Sequence, residues 1–203
     1  MAIYLLRHAE TDGNATRVVQ LPGVPLSERG RQQAARLAAR LAGAGITRIV
    51  SSDLARAIET AEALHATTGA PVEIDPGLAE RNYGDVRGTP YSRLKEDIFG
   101  PDYEPPGGET WATFRARVDD AWKRVLHSAA ETDGHVAVVT HGLVCAAVFD
   151  RHLDGTPNDA PDHWGNTALT IVEAPRTVRL LACTAHLSGD AERADPARRP
   201  RRV

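Results

Sequence analysis

Lysine and cysteine are both scarce in this chain of 203 residues. The only lysines are Lys95 and Lys123, so arginine supplies nearly all the positive charge and needs support from its position before it is assigned a function. The two cysteines, Cys145 and Cys183, both lie in apolar stretches. We expect small buried thiols in a reducing compartment, although the sequence leaves a disulfide between them open.

Long apolar runs and a strong net charge are also missing. No run approaches the ~20 residues that a membrane-spanning helix needs, and Met1–Leu6 is too short for the apolar region of a signal peptide. We therefore expect a cytoplasmic protein with no membrane partner. The net charge of −3 gives no broad attraction to nucleic acid, so any anion must be bound at a local site.

Short apolar runs alternate with helical patterns along the chain. Helical periodicity predicts four helices: Ser27 to about Leu41, Asp53 to Leu64, a helix carrying the apolar stripe from Trp111 to Val125, and Leu143 to about Leu153. This alternation predicts an α/β fold with a mostly parallel sheet. The predicted strands, chosen by length and β-branched content, are Ala2–Leu6, Ile46–Val50, Val136–Thr140, Ala168–Glu173 and Val178–Cys183.

Two segments fall outside this alternation. Residues 82–108 are rich in glycine, proline and charge, which predicts a flap over one edge of a single domain formed by residues 1–187. Residues 188–203 are predicted to be a disordered, solvated tail, although their arginines leave contact with an anionic partner open.

Histidines follow two of the predicted strands. His8 comes after Ala2–Leu6, and His141 comes directly after Val136–Thr140. Ligands bind at the carboxyl ends of strands in open α/β sheets, so both imidazoles are predicted to face one pocket. Arg56 lies in the first turn of the helix after a third strand, where the helix dipole disfavours a cation. It either pairs with Asp53 or holds an anion together with the helix amides.

A metal site is the competing explanation for clustered histidines. The sequence has no Cys-x-x-Cys, His-x-His or His-Glu-x-x-His motif, and Arg7 and Arg56 would repel a cation. A phosphate group fits better because its oxygens match the arginine fork. The remaining histidines share no placement and are predicted to be surface or structurally satisfied residues: His65, His127, His135, His152, His163 and His186.

Several longer motifs are distributed over most of the chain, among them LLRHAETDGN, PLSERGRQQA, IVSSDLARAIETAEAL, LAERNYGDVRG, PPGGETWATFRARV and VVTHGLV. Through these motifs the sequence resembles the histidine phosphatase superfamily, in the branch related to phosphoglycerate mutase. The resemblance implies a three-layer α/β sandwich with helices on both faces of the central sheet. It also implies catalysis through a phosphohistidine, with no cofactor and no metal.

The resemblance assigns roles to individual residues. His8 is the nucleophile, and Arg7, Arg56 and His141 form the phosphate pocket. Glu80 matches the position of the acid and base. Asn14 and Arg17 match positions lining the pocket, with a turn residue and a surface charge as structural alternatives.

Other carboxylates are assigned structural roles at this stage. Glu10 is expected to support the loop after His8, and Asp12 to be exposed. Glu109 is expected to cap a helix.

The same motifs help to distinguish phosphatase activity from mutase activity. Arg81 and Tyr83 match positions that contact substrate in the mutase branch. Three features differ from the mutase branch, however. The flap is short, it has no adjacent arginine pair, and Leu143 stands where mutases carry asparagine. Val86-Arg87-Gly88 replaces the Trp-Glu-Gly of the phosphatase branch, which leaves the leaving-group pocket open.

We therefore expect hydrolysis of a small phosphorylated metabolite. Mutase-type phosphoryl transfer is the alternative. A non-catalytic relative that binds phosphate compounds is a third reading, which the presence of all the pocket residues disfavours.

Overall fold

Six strands form one mixed sheet in the computed structural model, which describes residues 1–156 and 158–188. Their spatial order is β3-β2-β4-β1-β5-β6. The predicted tail beyond Ser188 lies outside the described residues. The strands are β1 (Ala2–Arg7), β2 (Ile46–Ser51), β3 (Val72–Ile74), β4 (His135–Thr140), β5 (Leu169–Glu173) and β6 (Thr177–Cys183).

The sheet is mostly parallel, as predicted. β1 runs parallel to β4, and β2 runs parallel to both β3 and β4. β5 is antiparallel to β1 and to β6. The sequence did not reveal β3, because it is a three-residue edge strand whose apolar pattern is interrupted by Glu73.

Within the described residues, five α-helices connect or cover the strands. Two helix-start predictions are wrong. The third helix, predicted to start at Asp53, begins at Ala55 after Leu54, which has no side-chain cap; the Ser52 hydroxyl accepts from the Leu54 amide before the helix starts. Thr110, not Glu109, caps the fourth helix. The helices are α1 (Asp12–Thr16), α2 (Glu28–Leu41), α3 (Ala55–Thr68), α4 (Trp111–Ala130) and α5 (Gly142–His152).

The sheet separates two apolar clusters, one on each face. Alternate residues of β1 and β4 point to opposite faces, so Leu5 packs with α4 and α5, whereas Leu6 packs with α2 and α3. On the α4 side, Trp122 has no exposed surface and Phe114 is almost fully buried. The prediction of a three-layer sandwich is confirmed, and the aromatic stripe of α4 belongs to the core.

Neither cysteine forms a disulfide. Cys145 is buried in the α4–α5 layer, as expected. Cys183 is only partly buried, because it lies on the edge strand β6, where the Arg40 guanidinium contacts its sulfur at 3.3 Å.

The segment from 82 to 108 contains only short 3-10 turns, at Gly84–Val86 and Tyr91–Arg93. Its two ends meet in a narrow neck. A Cβ at Gly84, whose φ is +51°, would lie 2.0 Å from the carbonyl oxygen of Pro106. This neck therefore requires glycine. We call residues 82–108 the flap; its assignment with residues 1–187 to a single domain stays a prediction.

The flap has a small apolar core of its own, built around Val19, Tyr83 and Ile98. Leu143 packs against this core, so the leucine that stands in place of the mutase asparagine has a packing role. None of the helices within the described residues is long and apolar enough to cross a membrane.

Candidate active site

The two histidines at the strand ends lie side by side. Parallel pairing of β1 with β4 places Arg7 opposite Thr140, and the His8 amide donates to the Thr140 carbonyl at 2.8 Å. The rings of His8 and His141 have centroids 5.1 Å apart, and both residues are buried. The predicted convergence of the two imidazoles is therefore present in the structure.

The backbone carbonyl of Ala9 determines which ring nitrogen of His8 carries the proton. Its Nδ1 lies 2.7 Å from the carbonyl oxygen of Ala9, which can only accept a hydrogen bond. Nδ1 must therefore carry the proton, and in the neutral ring Nε2 is the basic nitrogen. Asn166 supports the same turn, because its side-chain Nδ2 donates to the His8 carbonyl at 3.2 Å.

Ser52 positions His141. The hydroxyl of Ser52 lies 2.8 Å from Nε2 of His141 and accepts from the Leu54 amide at 3.2 Å. A hydroxyl that already accepts one bond is suited to donate the other, which places the proton of His141 on Nδ1. Burial lowers the pKa of His141 well below its usual value, and the charges of Arg56, His8 and Arg7 lower it further. His141 is therefore neutral at pH 7.

Two buried guanidinium groups lie at the same place. Arg56 is 3% exposed and donates to the Leu21 carbonyl at 3.3 Å. Burial lowers its pKa to about 10, while the charge of Glu80 opposes this and the charges of Arg7 and Arg87 add to it. Arg7 is held by the Trp164 carbonyl and contacts Nε2 of His163 at 3.0 Å. The structure shows no ion pair between Arg56 and Asp53 in the ranges it describes, so the first of the two readings of Arg56 is wrong.

Glu80 is a carboxylate that interacts electrostatically with both guanidinium groups, those of Arg56 and Arg7. Its two oxygens accept from the amides of Arg81 at 3.0 Å and Leu143 at 3.2 Å. Burial raises the pKa of Glu80, whereas these two amides and the charges of Arg56 and Arg7 lower it. The net direction is upward, which is what a carboxyl group that donates a proton near neutral pH requires.

Nδ1 of His141 and Nε of Arg56 are buried without a hydrogen-bond partner in the part of the chain that the structure describes. Buried donors are normally satisfied, and an unsatisfied one costs about 1–3 kcal/mol. Both atoms are donors, so the group that would satisfy them is an acceptor. An anion with several oxygens fits this requirement together with the surrounding positive charge.

Comparison with known proteins agrees with this geometry. The sequence model of branch 1 of the histidine phosphatase superfamily matches residues 3–183. This chain belongs to the histidine phosphatase superfamily.

Relatives in the superfamily carry both phosphatase and mutase names. The chain is 40% identical to fructose-2,6-bisphosphatase TIGAR of Xenopus laevis over 130 residues, 59% of this chain and 47% of that protein. It is 40% identical to the probable phosphoglycerate mutase GpmB of Escherichia fergusonii over 163 residues, 75% of each protein. The chain thus spans about half the length of the Xenopus TIGAR proteins it matches.

Solved structures give the same picture. Mycobacterial glucosyl-3-phosphoglycerate phosphatase superposes with a TM-score of 0.71 and 31% identity, over 84% of this chain and 88% of that one. Its complex with VO3 superposes with a TM-score of 0.74 and 30% identity, over 85% and 90% of the two chains.

Asn14 lies in α1 and Arg17 is the C-cap of that helix, which follows the loop after His8. Asn14 forms a capping box with Thr11, and its Oδ1 also accepts from the side-chain Nδ2 of Asn166 at 3.3 Å. Arg17 has a left-handed backbone with φ of 58°, which is uncommon for a residue other than glycine. Its Nε is buried without a hydrogen-bond partner in the described ranges. Asn14 therefore has the turn role that the sequence left open, and the surface-charge alternative for Arg17 does not fit a buried Nε.

The guanidinium of Arg81 is bound inside the flap and by the residues next to it. Its guanidinium donates to the carbonyls of Ile98, Tyr103 and Glu109 and stacks 3.9 Å from the centroid of the Trp111 ring. With 1% of its surface exposed, it holds the flap together from inside. This placement does not support the expected contact with substrate, and the reason is that the flap carbonyls occupy its donors.

Tyr83 is buried in the flap core and lies near Glu80. It is 7% exposed and packs edge-on against Phe99, 6.2 Å between ring centroids. Burial and the nearby charge of Glu80 raise the pKa of its hydroxyl well above the usual value. Tyr83 therefore lies between the flap core and Glu80, and a contact with substrate stays a prediction.

The carboxylates near His8 have the structural roles expected of them. Glu10 accepts from Arg29 at 2.9 Å and from the Ser27 hydroxyl at 3.1 Å, so it joins the loop to the start of α2. Asp12 is exposed.

Among the remaining histidines, His163 differs from expectation because it lies against Arg7. His65, His135, His152 and His186 each have a structural partner, and His127 is exposed.

Sequence reasoning missed three residues that support the site: Ser52, Asn166 and Arg117. Ser52 had a signal, because it directly follows β2, the neighbour of β4, just as His141 directly follows β4. Asn166 and Arg117 had none, because each reaches the site from a distant segment, and their side chains bond to the carbonyls of His8 and of the backbone before Glu80.

Proposed function

We propose that this protein hydrolyses phosphomonoesters through a phosphohistidine on His8, without a metal or cofactor. The observation that carries the proposal is the cluster itself. A buried imidazole with its proton fixed on Nδ1 lies beside a neutral histidine, two buried guanidinium groups and a carboxyl group whose pKa is raised. The unsatisfied donors of His141 and Arg56 are placed to bind phosphoryl oxygens.

In the first step, Nε2 of His8 attacks phosphorus while the bond from phosphorus to the leaving oxygen breaks. Glu80, protonated beforehand, gives its proton to that oxygen, so the alcohol leaves neutral. Arg7 and Arg56 neutralise the charge on the equatorial oxygens as the phosphoryl group moves in line, and neutral His141 donates a hydrogen bond from Nδ1 to one of these oxygens. Splitting the displacement in this way replaces one difficult transfer by two easier ones.

In the second step, water attacks the phosphohistidine. Glu80, now a carboxylate, removes a proton from the water as the new P–O bond forms and the N–P bond breaks. The products are phosphate and neutral His8 with its proton still on Nδ1, and Glu80 is again protonated. The same carboxyl group therefore serves as acid and then as base.

Mutase-type transfer is the second candidate, supported by the name of the GpmB relative. It requires cations that hold the rest of the substrate while the phosphoryl group is returned. Arg81, the residue expected to supply one, is occupied by flap carbonyls. This favours water as the acceptor. Incubation with 3-phosphoglycerate and a trace of its 2,3-bisphosphate separates the two: hydrolysis supports the phosphatase, and isomerisation supports the mutase.

The test of the phosphatase uses an aryl phosphate in the presence of EDTA. Phosphate release is expected, with an acid-labile phosphoenzyme trapped by rapid quenching. His8→Ala is expected to abolish both signals, while His127→Ala, at an exposed position on α4, keeps them. A requirement for added divalent metal, or full turnover by His8→Ala, would refute the mechanism.

We propose a small phosphorylated metabolite as the substrate. The names of the relatives point to phosphorylated sugars and glycerates as the first compounds to test. A panel of such esters, compared by kcat/KM, tests this choice; preference for a phosphopeptide over every metabolite in the panel would contradict it.

A further inference from the structure

We infer that Arg117, together with Glu109, is a positioning residue that holds Glu80 in place for proton transfer. The inference rests on the proposed acid and base role of Glu80. It concerns a partly buried ion pair, between Arg117 of α4 and Glu109 just before that helix, which touches the backbone on both sides of Glu80.

Glu80 lies in an irregular segment. It follows the 3-10 turn Pro76–Leu78 and precedes the flap, and no strand ladder or helix fixes its backbone. A side chain in such a segment keeps its position only if other groups bind the nearby carbonyls and amides. Proton transfer needs that position to be maintained within hydrogen-bond reach of the reacting oxygen.

Arg117 supplies donors to this segment. Its Nη1 donates to the carbonyls of Gly77 at 2.9 Å and Ala79 at 2.8 Å, and its Nη2 lies 3.5 Å from the carbonyl oxygen of Glu80 itself. One guanidinium therefore binds three carbonyls within four residues. The planar fork of arginine makes this possible, and lysine cannot reproduce it in full.

Glu109 completes the clamp from the other side. Its carboxylate accepts from Nε of Arg117 at 3.2 Å and also from Nη2, and its Oε1 accepts from the Asn82 amide at 2.8 Å. The backbone from residue 77 to residue 82 is thus bound to one ion pair. The side chains of the pair are only 25% and 11% exposed, so solvent screens this interaction weakly.

The core anchors the clamp. Arg117 lies on α4 between Phe114 and Val118, both fully buried, and its guanidinium carbon is 5.4 Å from the centroid of the Phe114 ring. Helix α4 packs against the sheet through the larger apolar cluster. The clamp therefore fixes the backbone around Glu80 relative to α4 and the apolar core, and not relative to the flap.

A loss of Arg117 should mainly impair proton transfer. The groups that bind the phosphoryl oxygens lie on other elements, and the hydrogen bonds of Arg117 go to Glu109 and to the backbone around Glu80; its charge makes only the smallest of the contributions that lower the pKa of His141. An alkyl phosphate needs the acid because its alkoxide leaves poorly, whereas an aryl phosphate needs it little. General acid catalysis contributes roughly 10²–10⁴-fold, so even partial displacement of Glu80 is visible on an alkyl ester.

The experiment compares kcat and KM of Arg117→Met on p-nitrophenyl phosphate and on a simple alkyl phosphate. We expect kcat on the alkyl ester to fall about 10- to 100-fold, with a loss of less than about threefold on the aryl ester and little change in KM. Arg117→Lys should recover part of the difference. The matched control is Arg124→Met, which removes an arginine of the same helix that pairs with Asp75.

A double variant with Glu80→Gln separates positioning from general damage. If Arg117 acts through Glu80, adding Arg117→Met to Glu80→Gln should not change the ratio of alkyl to aryl rates further. Equal losses on both esters in Arg117→Met, or multiplicative effects in the double variant, would overturn the inference. If Arg117→Met does not fold by circular dichroism, the same comparison is made with Arg117→Lys.

The proposed function fails in a different way. It fails if Glu80→Gln itself shows no selective loss on the alkyl ester, or if wild-type protein releases no phosphate. A selective loss in Glu80→Gln without one in either Arg117 variant refutes only the positioning role.

Discussion

Removing one hydroxyl, in Ser52→Ala, should disable His141 without altering any group proposed to touch the phosphoryl oxygens. The Ser52 hydroxyl lies 2.8 Å from Nε2 of His141, and both residues are fully buried. Alanine leaves that nitrogen buried and unsatisfied. The ring can then move its proton to Nε2 or rotate, and in either case Nδ1 no longer offers a fixed donor.

The magnitude follows from the burial. An unsatisfied buried polar group costs about 1–3 kcal/mol, and each 1.36 kcal/mol is about tenfold in rate. If most of this penalty falls on the transition state, kcat/KM for an aryl phosphate should decrease about 5- to 150-fold. Competitive inhibition by inorganic phosphate should weaken as well, because a ground-state phosphate uses the same donor.

Ser51→Ala is the matched control. Ser51 is the neighbouring residue, equally buried, and its hydroxyl donates to the Ser52 carbonyl at 3.0 Å instead of contacting a histidine. Steady-state kinetics and urea unfolding of both variants are compared with the wild type. Wild-type kcat/KM in Ser52→Ala, or an equal loss in Ser51→Ala, would refute the proposed hold on His141.

Three further predictions concern packing and protonation. Gly30→Ala should lower the free energy of unfolding by about 1–3 kcal/mol in urea, because its Cβ would lie 1.9 Å from the Glu10 carbonyl oxygen; Gly43→Ala, with no atom within 4 Å, should stay within about 0.5 kcal/mol. His186→Gln should flatten the loss of stability as pH falls from 6.5 towards 4, measured by thermal unfolding; an unchanged slope would contradict this. Phosphate binding should take up a proton, seen by calorimetry in buffers of different ionisation enthalpy, and Glu80→Gln should abolish the uptake.

The sign of the His186 effect follows from its environment. Burial lowers its pKa from 6.5 to about 4, helped by the charges of Arg40 and Arg36. The folded state therefore binds fewer protons than the unfolded state between these values. The stability that comes from the neutral ring is fully present above pH 6.5 and is lost as pH falls through this range. Glutamine does not titrate, so this contribution disappears from the pH profile.

The sheet and the histidine pair were predictable because their signals are local. Short apolar runs mark β1, β2 and β4, and a residue directly after such a run lies at the carboxyl end of its strand. His8 and His141 had to meet once β1 and β4 were neighbours. The edge strand β3 gave no comparable signal, since three residues are too few for a periodic pattern.

Side-chain contacts from distant segments were not predictable in the same way. Glu109 looked like a helix cap because it precedes α4, yet Thr110 has that role and Glu109 pairs with Arg117. Arg81 looked like a substrate ligand because the superfamily motif places it beside Glu80. Its direction depends on where the flap carbonyls lie, and the conformation of an irregular segment is not encoded in a short motif.

The electrostatics of the cluster link substrate binding to the protonation of Glu80. In the absence of substrate, burial raises the pKa of Glu80 while the charges of Arg56 and Arg7 hold it down. A phosphoryl dianion between those guanidinium groups would cancel most of their positive field and add negative charge of its own. Both changes favour the protonated carboxyl group. Arrival of the substrate therefore loads the acid that the first step consumes, and departure of phosphate would restore the field that favours the carboxylate.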